Sequence, residues 1–225
     1  MPVPGASSNA PVRVLARDRA YESIKRAILG RTILPGERLD DDKLQAWLKM
    51  SKTPIRQALH ALTVEGFVET AAQSYTRVIE PRVDDAVLHL QTIGIFVLGI
   101  LDLTLGSLDQ ERQDELVRDV DQLLAALENE DIDGSLAASQ TYYTHLMQSC
   151  PNHVLVELAQ RTLMARAYYV VVAYRALGVQ WHEAAAAYRG VRDALAEGDP
   201  QAVADATKRV FQIAQPDAVM QAGGS

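Results

Sequence analysis

The alternation of apolar and polar positions divides the chain into a short series of helices ending in strand-like segments, and a longer, almost wholly helical remainder. Tyr21, Ile24, Ile28 and Leu29 recur at helical spacing, and Gly30 follows where a left-handed residue closes a helix. Pro35-Gly36 supplies a turn, Asp40 a side-chain N-cap, and Leu44, Trp47 and Leu48 one apolar face for a second, short helix. Ser51 or Thr53 caps a third helix, with Pro54 in its first turn and Ile55, Ala58, Leu59 and Leu62 on one face. Gly66 ends it. Residues 67–70 and 76–79 have strand character, and Ala72-Gln73-Ser74 between them turns a hairpin. Helix, tight turn, helix and hairpin together predict a winged helix.

Beyond residue 82 the period is helical throughout, with helices at roughly 83–106, 110–129, 133–149, 152–177, 181–197 and 200–213. The breaks fall at Asp131-Ile132-Asp133-Gly134, Cys150-Pro151-Asn152, Ala176-Leu177-Gly178 and Glu197-Gly198-Asp199-Pro200. The predicted fold class is mainly α: a winged helix-turn-helix with a small β-hairpin over 13–80, then an all-helical bundle of about six helices over 81–213. Residues 1–12 and 214–225, rich in Pro, Gly, Ser and Ala, read as flexible tails. The helix 83–106 carries Ile95, Val97, Leu98 and Ile100 around most of its girth, so neighbours or a second subunit must cover it. The most apolar run, 93–101, is too short to span a bilayer, and the N-terminus has no signal-peptide core. Cytoplasmic residence without membrane contact is the expectation.

Charge separates the two parts further. Residues 1–82 hold 13 Lys/Arg and 9 Asp/Glu, a net of +4, whereas the remainder has a net of −11. The N-terminal part alone is suited to phosphates. The single cysteine, Cys150, excludes an intramolecular disulfide framework and suits a reducing compartment. Catalysis has no support: there is no Gly-rich phosphate loop, no metal-ligand cluster and no nucleophile beside an evident base. No catalytic residues are expected.

On the third helix Lys52, Arg56, Gln57 and His60 fall largely off the apolar face, where cationic and amide groups can meet phosphates and base edges. A plain three-helix packing unit with a solvated basic face is the competing reading. The order Leu34-Pro35-Gly36-Glu37-Arg38-Leu39, Leu44, Trp47-Leu48, Ser51-Lys52-Thr53-Pro54-Ile55-Arg56-Gln57-Ala58-Leu59, Leu62 and Glu65-Gly66-Phe67-Val68 resembles the DNA-binding domain of GntR-family transcription regulators over about sixty residues. That resemblance implies DNA contact through Lys52, Thr53 and Arg56, and Lys43, Ser51, Gln57, His60 and Arg77 complete the candidate set. Lys52 replaces a more usual arginine, so the bidentate fork that reads guanine is lost there. Asp42 stands at a usually basic position and would repel phosphate, and Tyr75 replaces a usual wing glycine.

The helical remainder resembles the ligand-sensing FCD domain of the FadR branch. The residues that carry this are Tyr142-Tyr143-Thr144-His145, Pro151-Asn152 with Leu155, and Asp193-Ala194-Leu195-Ala196-Glu197-Gly198-Asp199 with Ala202 and Ala206. Many such domains hold a divalent metal with one aspartate and three histidines. Aligned on His145 and on Glu197-Gly198-Asp199, those positions are Thr141, His145, Tyr188 and Val210, so no metal and no cofactor are expected. Thr141, His145, Tyr188 and Arg192 can still orient an organic acid or another polar effector. They can equally satisfy one another. The resemblance implies a homodimeric, ligand-responsive repressor on a pseudo-palindromic double-stranded DNA operator, with a small-molecule effector in the bundle. The alternative is a small-molecule-binding or protein-interaction module that no longer reads DNA sequence, for which Asp42 and Tyr75 speak.

Overall fold

The computed structural model describes residues 15–71 and 75–213, in two compact units divided between Glu80 and Pro81. The predicted tails and the Ala72-Gln73-Ser74 turn lie outside the described residues. The first unit contains α1 (Ala16–Leu29), α2 (Asp41–Leu48), α3 (Lys52–Glu65), β1 (Val68–Ala71) and β2 (Tyr75–Val78). Asp40 caps α2 by accepting from the Asp42 and Lys43 N–H groups, and Gly66, left-handed at φ 92°, closes α3. Ile24, Ile28, Ile55, Leu62, Phe67 and Val78 form a core with essentially no exposure. Apolar burial of this kind, roughly 2 kcal/mol per large side chain, holds so small a unit together.

Four local expectations are corrected. Gly30 is not left-handed (φ −79°); Arg31 takes that conformation at φ 57°, because the Thr32 and Ile33 N–H groups both turn back to the Ala27 carbonyl. Trp47 is 49% exposed, so only Leu44 of α2 reaches the core. Ser51 occupies the N-cap of α3 without a side-chain cap hydrogen bond. The hairpin gains a third rung: residues 36–39 run beside β2, with Leu39 N–H donating to the Thr76 carbonyl at 2.8 Å and Val78 N–H to Glu37 at 2.9 Å. Gly36, at φ 77°, makes the turn into it. Two residues of pairing next to Pro35-Gly36 are too few to show as a period.

Within the same unit Lys25 crosses from α1 to α3. Its ammonium donates to Glu65 at 2.9 Å and to the Tyr21 hydroxyl at 2.6 Å and lies over the Phe67 ring. Burial pushes the ammonium pKa down, but the Glu65 and Tyr21 hydrogen bonds more than offset it, leaving it above the usual lysine value.

The second unit contains α4 (Ala86–Thr104), α5 (Gln110–Glu128), α6 (Ile132–Ser149), α7 (His153–Leu177), α8 (Trp181–Glu197) and α9 (Pro200–Val210). The predicted breaks fall where side-chain caps form: Asp131 accepts from Gly134 N–H, Asn152 from Leu155 N–H, and Asp199 from Gln201 and Ala202 N–H. Helix α5 packs against α6 and α8, α8 against α9, and α4 against α9 and, lengthwise, α7. Val97, Ile100 and Leu101 of α4 join Leu116, Val120 and Leu123 of α5 in one core.

Helical structure from Val83 to Ser107 is long and apolar enough, by length and composition, to cross a bilayer. It exceeds the apolar run 93–101 because Leu88, Leu90 and Leu103 extend it. One side of α4 is covered by α7 and α9, while Leu88 and Ile95 remain 59% and 61% exposed. The crossing with α9 depends on Gly94, where a Cβ would overlap the Phe211 side chain and approach Ile213 within 2.9 Å. Gly94→Ala is therefore expected to destabilise the protein by about 1–3 kcal/mol, the usual cost of overpacking. Denaturant unfolding checks this: the midpoint should fall while the slope stays unchanged.

Candidate nucleic-acid interface and effector cavity

The face of α3 opposite its core carries Lys52, Thr53, Arg56, Gln57 and His60, all exposed, with Ser51 just before it. Burial of Ile55, Ala58, Leu59 and Leu62 fixes the rotation of the helix, so these polar groups project outward as one row. The charges on that row are not free. Lys52 Nζ lies 2.8 Å from Asp42 Oδ1 and Arg56 is 2.9 Å from Asp41 Oδ2, both carboxylates being on α2. The hydrogen bond and charge of Lys52 hold the Asp42 carboxyl below its ordinary pKa, and Asp42 raises Lys52 in return. Both groups thus stay charged around neutrality. A DNA phosphate must compete with α2 for each cation. Lys43, exposed on α2, has no such partner among the described residues.

On the wing, Arg77 pairs with Glu69, its cross-strand neighbour. Its guanidinium stacks 4.7 Å from the Tyr75 ring centroid, and Arg38 approaches the same ring at 5.9 Å. Tyr75 therefore holds two arginines on one surface instead of permitting the close backbone approach of a glycine.

In the second unit a cavity of about 630 Å³ is lined by residues of all six helices, α4 to α9, a size suited to a drug-sized molecule. Its walls are mainly apolar, including Leu90, Leu123, Leu127, Leu136, Val171 and Val210. Hydroxyls of Ser135, Ser139, Tyr174 and Tyr188 interrupt them. The Tyr188 hydroxyl shares a 2.8 Å hydrogen bond with that of Tyr143 and has Ser139 as a further hydrogen-bonding neighbour. Burial pushes the Tyr188 phenol up to about 12; burial likewise raises Tyr143, with Tyr188 adding to it, and Tyr174. All three are neutral at physiological pH and serve as donors and acceptors.

Of the four predicted pocket residues only Tyr188 lines this cavity. Thr141 donates back to the Ala137 carbonyl at 3.1 Å. His145 Nδ1 lies 2.7 Å from Asp119 Oδ2 on α5 and 3.9 Å from Glu115. Arg192 pairs with Asp121 at 3.0 Å and Asp193 at 3.3 Å on the surface. Anchoring α6 on its only histidine misplaced its phase: Tyr142 and Leu146 are the buried pair, and Ser135, Ser139 and Tyr143 form the row at i, i+4, i+8 that faces the interior. The spacing of these small and aromatic residues was the available signal. The inward positions thus offer Ser139, Tyr143, Tyr188 and Val210, which do not fit a divalent metal needing carboxylate or imidazole donors. Among the described residues no three His, Cys, Asp or Glu side chains are grouped to hold one.

A winged helix with an exposed cationic row, joined to a helical unit with a ligand-sized cavity, defines the class of ligand-responsive DNA-binding regulators. The chain belongs to the GntR family of bacterial regulatory proteins, with a C-terminal FCD domain: the first family's pattern matches residues 16–78 and the FCD domain's matches 99–212. A 48-residue stretch is 50% identical to the Nta operon transcriptional regulator of Aminobacter aminovorans; it spans only 23% of that relative's length. Two solved structures share the fold at 19% identity. E. coli McbR/YncC covers 95% of this chain and 100% of its own with a TM-score of 0.70. A GntR protein from Rhodococcus sp. RHA1 covers 93% and 98% with 0.69.

Proposed function

We propose that the protein is a cytoplasmic, homodimeric repressor whose two α3 helices enter successive major grooves of a pseudo-palindromic operator, and whose affinity is set by a small molecule in the 630 Å³ cavity. The observation that carries this is the outward row Lys52, Thr53, Arg56, Gln57 and His60 on a helix whose other face is core. Lys43 and Arg77 flank it as phosphate contacts. Dimerisation is supported by the side-by-side pair α4 and α7, whose Leu88, Ile95, Val154 and Leu158 leave apolar surface exposed. An effector in the cavity touches both α7 and α8, so it can favour one relative placement of these helices and hence of the two heads.

A salt titration of binding to the DNA upstream of the protein's own gene tests the reading. Affinity is expected to fall steeply with salt. Replacing both helper carboxylates, Asp41→Asn with Asp42→Asn, is expected to raise affinity and steepen the log–log salt slope by roughly one to two, because two phosphates regain unshared cations. Weak, flat and sequence-independent binding in both proteins would instead favour the interaction-module reading that the Asp42–Lys52 and Asp41–Arg56 pairs invite.

A further inference from the structure

The wall of the cavity is chemically one-sided. Leu123, Leu127 and Val171 supply apolar surface, and Ser139, Tyr174 and Tyr188 supply hydroxyls. Charged groups on the lining are limited, among the described residues, to Glu183 and Arg209, both exposed and of opposite sign. The guanidinium that would have answered an organic acid, Arg192, is engaged by Asp121 and Asp193 outside the cavity. A carboxylate moved from water into such a space loses hydration with no buried cation to replace it. A neutral molecule gains the burial of its apolar surface and can still hydrogen-bond the Tyr188 hydroxyl.

We infer that the ligand of this cavity is an uncharged, mainly apolar small molecule with a hydroxyl or carbonyl group directed at the Tyr188 hydroxyl, which Tyr143 backs at 2.8 Å, and that no metal or carboxylate takes part in its recognition. This rests on the reading of the cavity as the effector site. The phenols add a constraint on the ligand: held neutral by burial, they both donate and accept, so either polar group is served.

Trp181 lines the cavity, and Trp47 in the first unit is the only other tryptophan. A full-length Trp47→Phe variant therefore reports on the cavity through Trp181 emission alone. It is titrated at neutral pH with two probes of matched length, para-hexylphenol, which is neutral, and para-hexylbenzoate, which is anionic. The phenol is expected to bind at least tenfold more tightly. Adding Tyr188→Phe is expected to weaken the phenol about three- to tenfold, the worth of one neutral hydrogen bond, with the benzoate little changed. Equal or tighter binding of the benzoate overturns the ligand class while leaving an effector site in place. No emission change with either probe overturns the cavity as a binding site for this class. The salt titration of operator binding uses no probe, so failure of the regulator reading shows there and not here.

Discussion

Arg56→Ala is expected to lower operator affinity on the order of 10- to 100-fold, the roughly 1–3 kcal/mol carried by an arginine on a base edge. Arg56 projects from the outward face of α3 with its guanidinium 2.9 Å from Asp41, so the substitution removes a contact and also strips the Asp41 carboxylate of its partner in the path of a phosphate. The second effect is separable. Asp41→Asn added to Arg56→Ala should recover part of the loss, whereas Arg56→Lys keeps the charge, lacks the fork, and should lose discrimination between operator and unrelated DNA more than it loses affinity. Lys52→Ala should weaken binding to all sequences alike and reduce the salt slope by about one. Fluorescence anisotropy on operator and scrambled duplexes at several salt concentrations distinguishes these patterns; unchanged operator affinity in Arg56→Ala would remove α3 from the role of reading helix.

His145→Ala is expected to cost about 3 kcal/mol of stability and lower the midpoint of thermal unfolding by about 10 °C. Asp119 is only 5% exposed, and its Oδ2 lies 2.7 Å from His145 Nδ1; a carboxylate accepts, so the ring donates its Nδ1–H. Without the ring, a buried carboxylate on α5 is left with Glu115 nearby and no donor from α6. Asp119→Asn in the same chain should return a large share of the loss, because the amide tolerates burial that the charge does not. Differential scanning calorimetry of the three proteins is the measurement. A loss under 1 kcal/mol would mean that water reaches Asp119 readily. Operator affinity of any variant that stays folded should hardly change, since neither residue is in the DNA-binding unit.

The helices were legible because their signals are local. Predicted and observed boundaries of the six helices beyond residue 82 agree within a few residues, since each break carries an Asp or Asn cap, a glycine or a proline within reach of its own backbone. The outward row of α3 followed from the 3.6-residue period. Less local features were missed. Nothing in the spacing of Asp41 and Asp42 relative to Lys52 and Arg56 announces two ion pairs, because they form between helices. The cavity was misassigned for the same reason: His145 attracts attention as a rare titratable residue, yet Tyr143, two positions earlier, and Ser139, one turn before that, face the interior.

The sequence by itself thus determined the winged helix, the order and length of the helices, and the surface of α3 that meets solvent, because capping, turn chemistry and hydrophobic period act over one to four residues. The tertiary structure decided which charges are free and which are held, that Tyr75 gathers Arg38 and Arg77, and that the cavity presents Ser139 and Tyr174 beside Tyr188 while His145 and Arg192 pair with carboxylates away from it. Those properties depend on the rotation of each packed helix and on separations of about 3 Å between side chains far apart in the chain. At that range one position along a helix, about 100° of rotation, changes a cavity wall into a surface ion pair.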